Sequence, residues 1–132
     1  MKKELEIVSD ISKIRDVEKL VDESLGDTDV AKTIYGNVLI SVTEAVNNSI
    51  IHGNKQDISK KVNILVEKKD DFIVFQIEDE GTGFDQCNIP DPTSPENLQS
   101  LNGRGIFLMK QLTDEIEFKE NGKIVEMKFK IN

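Results

Sequence analysis

Polar and apolar positions along this chain alternate first with a period of two and then with the period of a helix. Lys2 to Val8 places Leu5 and Ile7 on one side, which predicts a short strand. Asp10 can cap a helix, and Ile11, Ile14, Val17, Leu20, Val21 and Leu25 form a helical stripe that stops at Gly26-Asp27. A longer helix is predicted over about residues 29–51. Val30, Ile34, Val38, Val42, Ala45, Val46 and Ile50 line one face of it, and Gly53-Asn54 ends it. Val62, Ile64 and Val66 alternate again, and Phe72 to Ile77 is nearly all apolar, as expected of a central strand buried on both faces. The polar Lys-Lys-Asp-Asp between these two runs makes the turn of a hairpin.

The pattern fails between Asp85 and Leu101. All three prolines, Pro90, Pro92 and Pro95, fall in this stretch, and it reads as a long loop or lid. Periodicity returns from Ile106 to Leu112 as a short helix. A last hairpin follows around Asn121-Gly122, built from Ile116 and Phe118 and then Val125, Met127, Phe129 and Ile131. The order is strand, helix, helix, strand, strand, lid, helix, strand, strand. Strands joined by tight turns are antiparallel, and helices kept apart from hairpins predict an α/β two-layer sandwich. No repeat or linker divides residues 1–132, so a single domain is expected.

Composition narrows the function. With 132 residues, 37% hydrophobic and 32% charged, the chain can bury one core and stay soluble. A net charge of -8 repels phosphate backbones and argues against direct nucleic-acid binding. An acidic domain that holds a polyphosphate must concentrate positive potential locally or use a divalent cation. Only two arginines exist, Arg15 and Arg104, which makes the setting of Arg104 informative. A lone cysteine, Cys87, cannot close an internal disulfide, and it reads as a plain loop thiol in a reducing compartment. The N-terminus lacks the apolar run of a signal peptide and no stretch approaches the ~20 apolar residues of a membrane span, so a cytoplasmic protein is expected.

Three short segments carry chemistry. In Glu44-Ala-Val-Asn47-Asn48-Ser-Ile-Ile-His52-Gly53, Glu44 and Asn48 are one helical turn apart, on a face expected to point away from the helix's core contact. The spacing alone fits a solvated polar face. It also admits a carboxylate and an amide oxygen converging on a water or a hard cation, whose preferred ligands are such oxygens. In Glu78-Asp79-Glu80-Gly81-Thr82-Gly83, a glycine pair follows an apolar strand. This is either an ordinary turn or a place where backbone approaches a ligand closely, with Asp79 available to accept from an exocyclic amine. In Asn102-Gly103-Arg104-Gly105, glycines and an arginine stand directly before a helix. That setting suits phosphate through free N–H groups and a guanidinium, and a glycine hinge is the plainer alternative. No Gly-x-x-x-x-Gly-Lys-Ser/Thr motif, Rossmann fingerprint or zinc spacing occurs, and His52 reads as a helix-end residue.

In this order the three segments resemble the N-box, G1 box and G2 box of the GHKL superfamily, which includes the histidine kinases, and the resemblance spans nearly the whole chain. It implies the Bergerat, or histidine-kinase-like ATPase, fold: an α+β sandwich whose mixed, mostly antiparallel sheet is covered on one face by three helices. Glu-Ala-Val-x-Asn-x-Ile-x-His-Gly is similar to the anti-sigma factor serine kinases in particular. In histidine kinases the first position of this box is asparagine; here it is Glu44. The resemblance implies ATP and Mg²⁺ as cofactors, Glu44 as general base, and Asn48 as Mg²⁺ ligand. It also implies Asp79 on the adenine amine, Gly81 and Gly83 shaping that pocket, and Gly103, Arg104 and Gly105 at the phosphates. The implied partners are a sigma factor and a STAS-type anti-anti-sigma protein, with a homodimer common in such families. Gly122 is followed here by Lys123-Ile124, where the family often has a threonine. That departure keeps a non-catalytic, nucleotide-dependent binding switch as an alternative. A stand-alone histidine-kinase-type domain is a further alternative, which Glu44 disfavours.

Overall fold

The computed structural model describes residues 2–26, 32–81 and 101–131, without the side chains of 101–104 and 121. Five strands, β1 (Lys2–Val8), β2 (Lys61–Lys69), β3 (Phe72–Glu78), β4 (Glu115–Lys119) and β5 (Ile124–Lys130), form one sheet in the order β1-β2-β3-β5-β4. Among the described residues three α-helices accompany it: α1 (Ile14–Leu25), α2 (Lys32–Asn48) and α3 (Leu101–Leu112). The expected element order holds. The mixed sheet does not: every pairing among the described strands is antiparallel.

The apolar run of β3 does lie at the centre of the sheet, but it is buried on one face rather than two. Ile73, Phe75 and Ile77 face the helices and are fully buried, whereas Phe72, Val74 and Gln76 on the other face are half-buried. The register explains the asymmetry. Leu65 and Gln76 sit in a row whose other members are Glu4, Glu117 and Glu126, so the outer face carries too much charge to be covered by a hydrophobic layer.

The core lies between the inner face and the helices. Val38, Val42, Ala45, Val46 and Ile50 come down from α2 and its C-terminal turn onto strand residues such as Ile64, Phe75 and Met127. Phe75 and Phe129 meet edge to face with ring centroids 6.3 Å apart. Helix α1 adds Val17, Leu20, Val21 and Leu25, and the Tyr35 hydroxyl donates to the Asp22 carboxylate, tying α1 to α2. Ile11 departs from the expected stripe. Asp10 accepts from the Ser12 N–H at 2.9 Å, but the turn it caps is a 3₁₀ turn over Ile11–Lys13, and Ile11 is left exposed.

Helix α2 does not end on an ordinary turn. Residues Ser49–Gly53 widen into a π-helical turn, with the Asn54 N–H donating to the Ser49 carbonyl at 2.8 Å. Lys55 and Gln56 then follow in the left-handed region, at φ 54° and 59°. This widened end leads the chain toward β2 and sets Gly53 and Asn54 against the segment that follows β3.

Candidate nucleotide-binding site

A pocket opens between the C-terminal end of α2, the end of β3, α3 and the β4–β5 hairpin. Ala45, Met109, Phe118 and Val125 make its apolar walls, and Asn48, Ser49, His52 and Asp79 supply its polar groups. Asp79 is the buried charge of the site, with 3% of its surface exposed. It leaves β3 with its N–H bound to the Lys123 carbonyl at 3.1 Å, so the last hairpin fixes its backbone. Its Oδ1 accepts from the Gly81 N–H at 2.8 Å. Burial pushes the Asp79 carboxyl above the ordinary aspartate range, while the hydrogen bonds from Gly81 and Ser49 and the charge of Lys123 oppose that rise.

Glycines surround this carboxylate because nothing larger fits. A β-carbon on Gly81 would lie 1.9 Å from the Gly53 carbonyl oxygen, a backbone atom that has no room to yield. The π-turn and the strand end therefore interlock through two residues without side chains. Asn54 fixes the same junction. Its Nδ2 donates to Ser9 Oγ at 2.8 Å and to the Lys61 carbonyl at 3.0 Å, and its Oδ1 accepts from the Glu80 N–H at 2.9 Å. A backbone donor at Lys61 in turn reaches the Glu80 carboxylate. One buried amide thus ties α2, β1, β2 and the segment after β3 together.

Glu44 and Asn48 are half-buried on α2. They do not turn to open solvent as a helical wheel suggests. They face the first turn of α3, where a β-carbon on Gly105 would lie 2.8 Å from Glu44 Oε2 and 3.7 Å from Asn48 Nδ2. A lone helix has no side that senses α3, so the sequence pattern could not supply this. Gly103, Arg104 and Gly105 lie inside the first turn and a half of α3, which begins at Leu101 rather than at Ile106. Only Gly103 falls among the first N–H groups that a helix beginning at Leu101 leaves without an internal partner. The N–H groups of Arg104 and Gly105 lie beyond them and bond within the helix, so the free backbone donors expected at those two positions are not available. Gly83 and the expected lid up to residue 100 lie outside the described residues. His52 is exposed at the pocket rim.

Sequence reading therefore brings Glu44, Asn48, Asp79, Gly81 and Gly105 to one end of the sandwich, and the structure joins them there. It missed Asn54, Ser49 and Lys123. The Asn54 signal was a polar residue after a helix-ending glycine, which reads as a stop rather than a hub.

Residues 7–129 match the family described as the histidine kinase-like ATPase domain. The chain belongs to that family. The histidine kinase-like ATPase assignment is reinforced by relatives named anti-sigma F factor. One from Clostridium perfringens is 34% identical over 102 residues, covering 73% of this chain and 72% of its own. Another from Clostridium beijerinckii is 36% identical over 102 residues, covering 73% and 71%. A solved structure of the RsbU and RsbW domains of a Mycobacterium tuberculosis protein shares the fold, with a TM-score of 0.70 at 12% identity over 99% of this chain. This chain spans 32% of that longer one.

The pocket fits the nucleotide such a domain takes. Apolar walls with one buried carboxylate suit a flat purine that carries an amine donor. Among the described residues no three His, Cys, Asp or Glu side chains gather as a metal site. A Mg²⁺ here would rest on Asn48 together with phosphate and water oxygens, which is how this cation is commonly held with nucleotides. No helix among the described residues is long and apolar enough to cross a membrane.

Proposed function

We propose that this protein is an ATP-dependent protein-serine kinase that acts as an anti-sigma regulatory factor. The observation that carries the reading is the placement of a carboxylate, Glu44, beside the start of α3, next to a pocket whose floor is the buried Asp79. Asp79 accepts the adenine amine, with Gly81 and Gly83 keeping the backbone close to the ring. Gly103, Arg104 and Gly105 meet the phosphates at the positive end of the helix dipole, Gly103 through its free backbone N–H, Arg104 through its guanidinium and Gly105 by leaving room beside Glu44. Asn48 would hold Mg²⁺, which would supply neutralisation of phosphate charge within an acidic chain.

Glu44 is the general base. It takes the proton of a serine hydroxyl as that oxygen bonds to the γ-phosphorus and the bond from phosphorus to the β-phosphate oxygen breaks. The acceptor is a STAS-type anti-anti-sigma protein, and the ATP-bound form sequesters a sigma factor until that partner is engaged. The relatives' name, anti-sigma F factor, supports the regulatory part of this reading. Residues 1–132 act as one domain in the cytoplasm, as a homodimer.

Calorimetric titration with ATP, with and without Mg²⁺, on wild type, Asn48→Ala and Glu44→Ala tests it. Wild type binds ATP in a Mg²⁺-dependent manner and Asn48→Ala weakens that binding. Glu44→Ala keeps binding and loses transfer to the partner's serine by about 10²-fold or more. A wild type that binds ATP yet phosphorylates no serine-bearing partner would sink the kinase reading and leave a binding switch.

A further inference from the structure

Away from the nucleotide pocket, α1 and α2 enclose a second, shallower groove. Ile14, Leu39 and Ile40 make its aliphatic part, and Thr43, Glu44 and Asn47 its polar end. Glu18 stands on the α1 side, and among the described residues no basic side chain lines the groove.

Two features of the groove, and a third beside it on the same face of α2, have no evident role in holding the fold together. Ile40 is 44% exposed, although the neighbouring Val38 and Val42 are fully buried in the core. Gly36 lies one turn before Ile40 on the same face of α2, inside a helix where glycine is less stable than alanine. A β-carbon on Gly36 would meet nothing within 4 Å, so neither a close neighbour nor a turn requires it. Asn47 carries a buried Oδ1 with no hydrogen-bond partner among the described residues.

We propose that this groove seats the segment of the partner protein that carries the acceptor serine. The inference rests on the kinase reading and deepens it. Gly36, Ile40, Thr43 and Asn47 form a single stripe, successive members three or four residues apart, that runs along α2 toward Glu44. Glu44 belongs to the groove and also abuts Gly105 beside the nucleotide pocket. A chain laid along the stripe therefore brings a hydroxyl to the proposed base. The bare backbone at Gly36 lets that chain approach closely, and an aliphatic side chain of the partner packs on Ile14, Leu39 and Ile40. Two carboxylates, Glu18 and Glu44, with no cation among the described lining residues, select a segment with a basic residue beside its serine.

The test uses the whole protein, a STAS-type anti-anti-sigma protein from the same organism as acceptor, and radiolabelled ATP. Wild type is compared with Ile40→Ala and Gly36→Gln, both of which replace a residue with a stronger helix former. The expected result is a KM for the acceptor raised about tenfold in each, as for loss of one anchoring contact. ATP affinity stays at the wild-type level and thermal stability at or above it, which separates docking from a structural defect. An unchanged acceptor KM in both variants, with wild type active, overturns the groove proposal and leaves the kinase reading standing. A wild type that binds ATP and transfers nothing overturns both. Loss of sigma-factor binding with an unchanged acceptor KM overturns it as well, and assigns the groove to the sigma factor.

Discussion

Gly53 lies so close to Asp79 that a β-carbon there would sit 2.3 Å from Asp79 Oδ2 and 2.5 Å from its Cγ. The carboxylate that floors the pocket is held at that position because Gly53 has no side chain. Gly53→Ala must displace either the π-turn or the carboxylate. We expect a loss of about 1–3 kcal/mol, the usual cost of overpacking a filled site. ATP affinity should fall by more than the stability loss explains. Denaturant unfolding and calorimetry on the same sample would reveal it, and unchanged ATP binding would refute the close packing.

Asp79→Asn separates function from stability. Burial raises the folded-state pKa above the ordinary 3.8, so the native state holds a proton that the unfolded chain has released over the interval between the two values. The contribution of Asp79 is therefore least unfavourable below pH 3.8, and stability is lost as pH rises through that interval. Asparagine removes the charge and keeps an oxygen for the Gly81 N–H. The variant should be no less stable than wild type at neutral pH, and its unfolding free energy should lose this part of its pH slope. Its ATP affinity should drop about tenfold or more, as when a charged hydrogen-bond partner is removed. A destabilised Asn variant that binds ATP normally would contradict both halves.

Acidification should act on wild type in the same way. As pH falls through the raised pKa of Asp79, the carboxylate takes up a proton and loses acceptor capacity toward an amine. ATP affinity measured by fluorescence competition is expected to decline there, at a higher pH than an exposed aspartate would give. Asp79→Asn should show no such decline.

Asn54→Asp replaces two amide donors with carboxylate oxygens in a buried position. Ser9 Oγ and the Lys61 carbonyl each lose a donor, and a negative charge is brought near Glu80. Leaving buried polar groups unpaired costs about 1–3 kcal/mol each, so unfolding free energy should fall by a few kcal/mol. Urea titration is sufficient to detect that. A stability equal to wild type would mean the hub does not bind the four segments together.

Gly105→Ala presses on Glu44 Oε2, the free end of a flexible side chain, rather than on backbone. The fold should survive. Phosphotransfer should fall more than ATP affinity, because the group displaced is the proposed base. Equal losses in both would place Glu44 in nucleotide binding instead.

The parts of this protein that read directly from sequence are those set by local periodicity. The stripe of α2 from Val38 to Ile50 and the alternation of β2 bury the residues their spacing indicates, whereas the apolar run of β3 marks a central strand without showing that only one of its faces is covered. The three glycine- and carboxylate-bearing segments were legible because each couples a strand or helix end to a residue type with one evident use. What could not be read depends on distant partners. Asn54 reaches residues 45, 7 and 26 positions away, and nothing near it in sequence marks those contacts. The orientation of Glu44 depends on α3, and the half-exposed outer face of β3 depends on charged neighbours in β4 and β5.

The position of β5 has a consequence for biosynthesis. It is the last strand in chain order, yet it sits inside the sheet, bonded to β3 on one side and β4 on the other. A ribosome-bound chain that stops short of residue 124 has a sheet ending at β3, with an open hydrogen-bonding edge in its middle. The carbonyl of Lys123, which anchors the Asp79 backbone, arrives only just before that strand. Nascent chains therefore cannot assemble the pocket early, and competence to hold a nucleotide coincides with closure of the sheet.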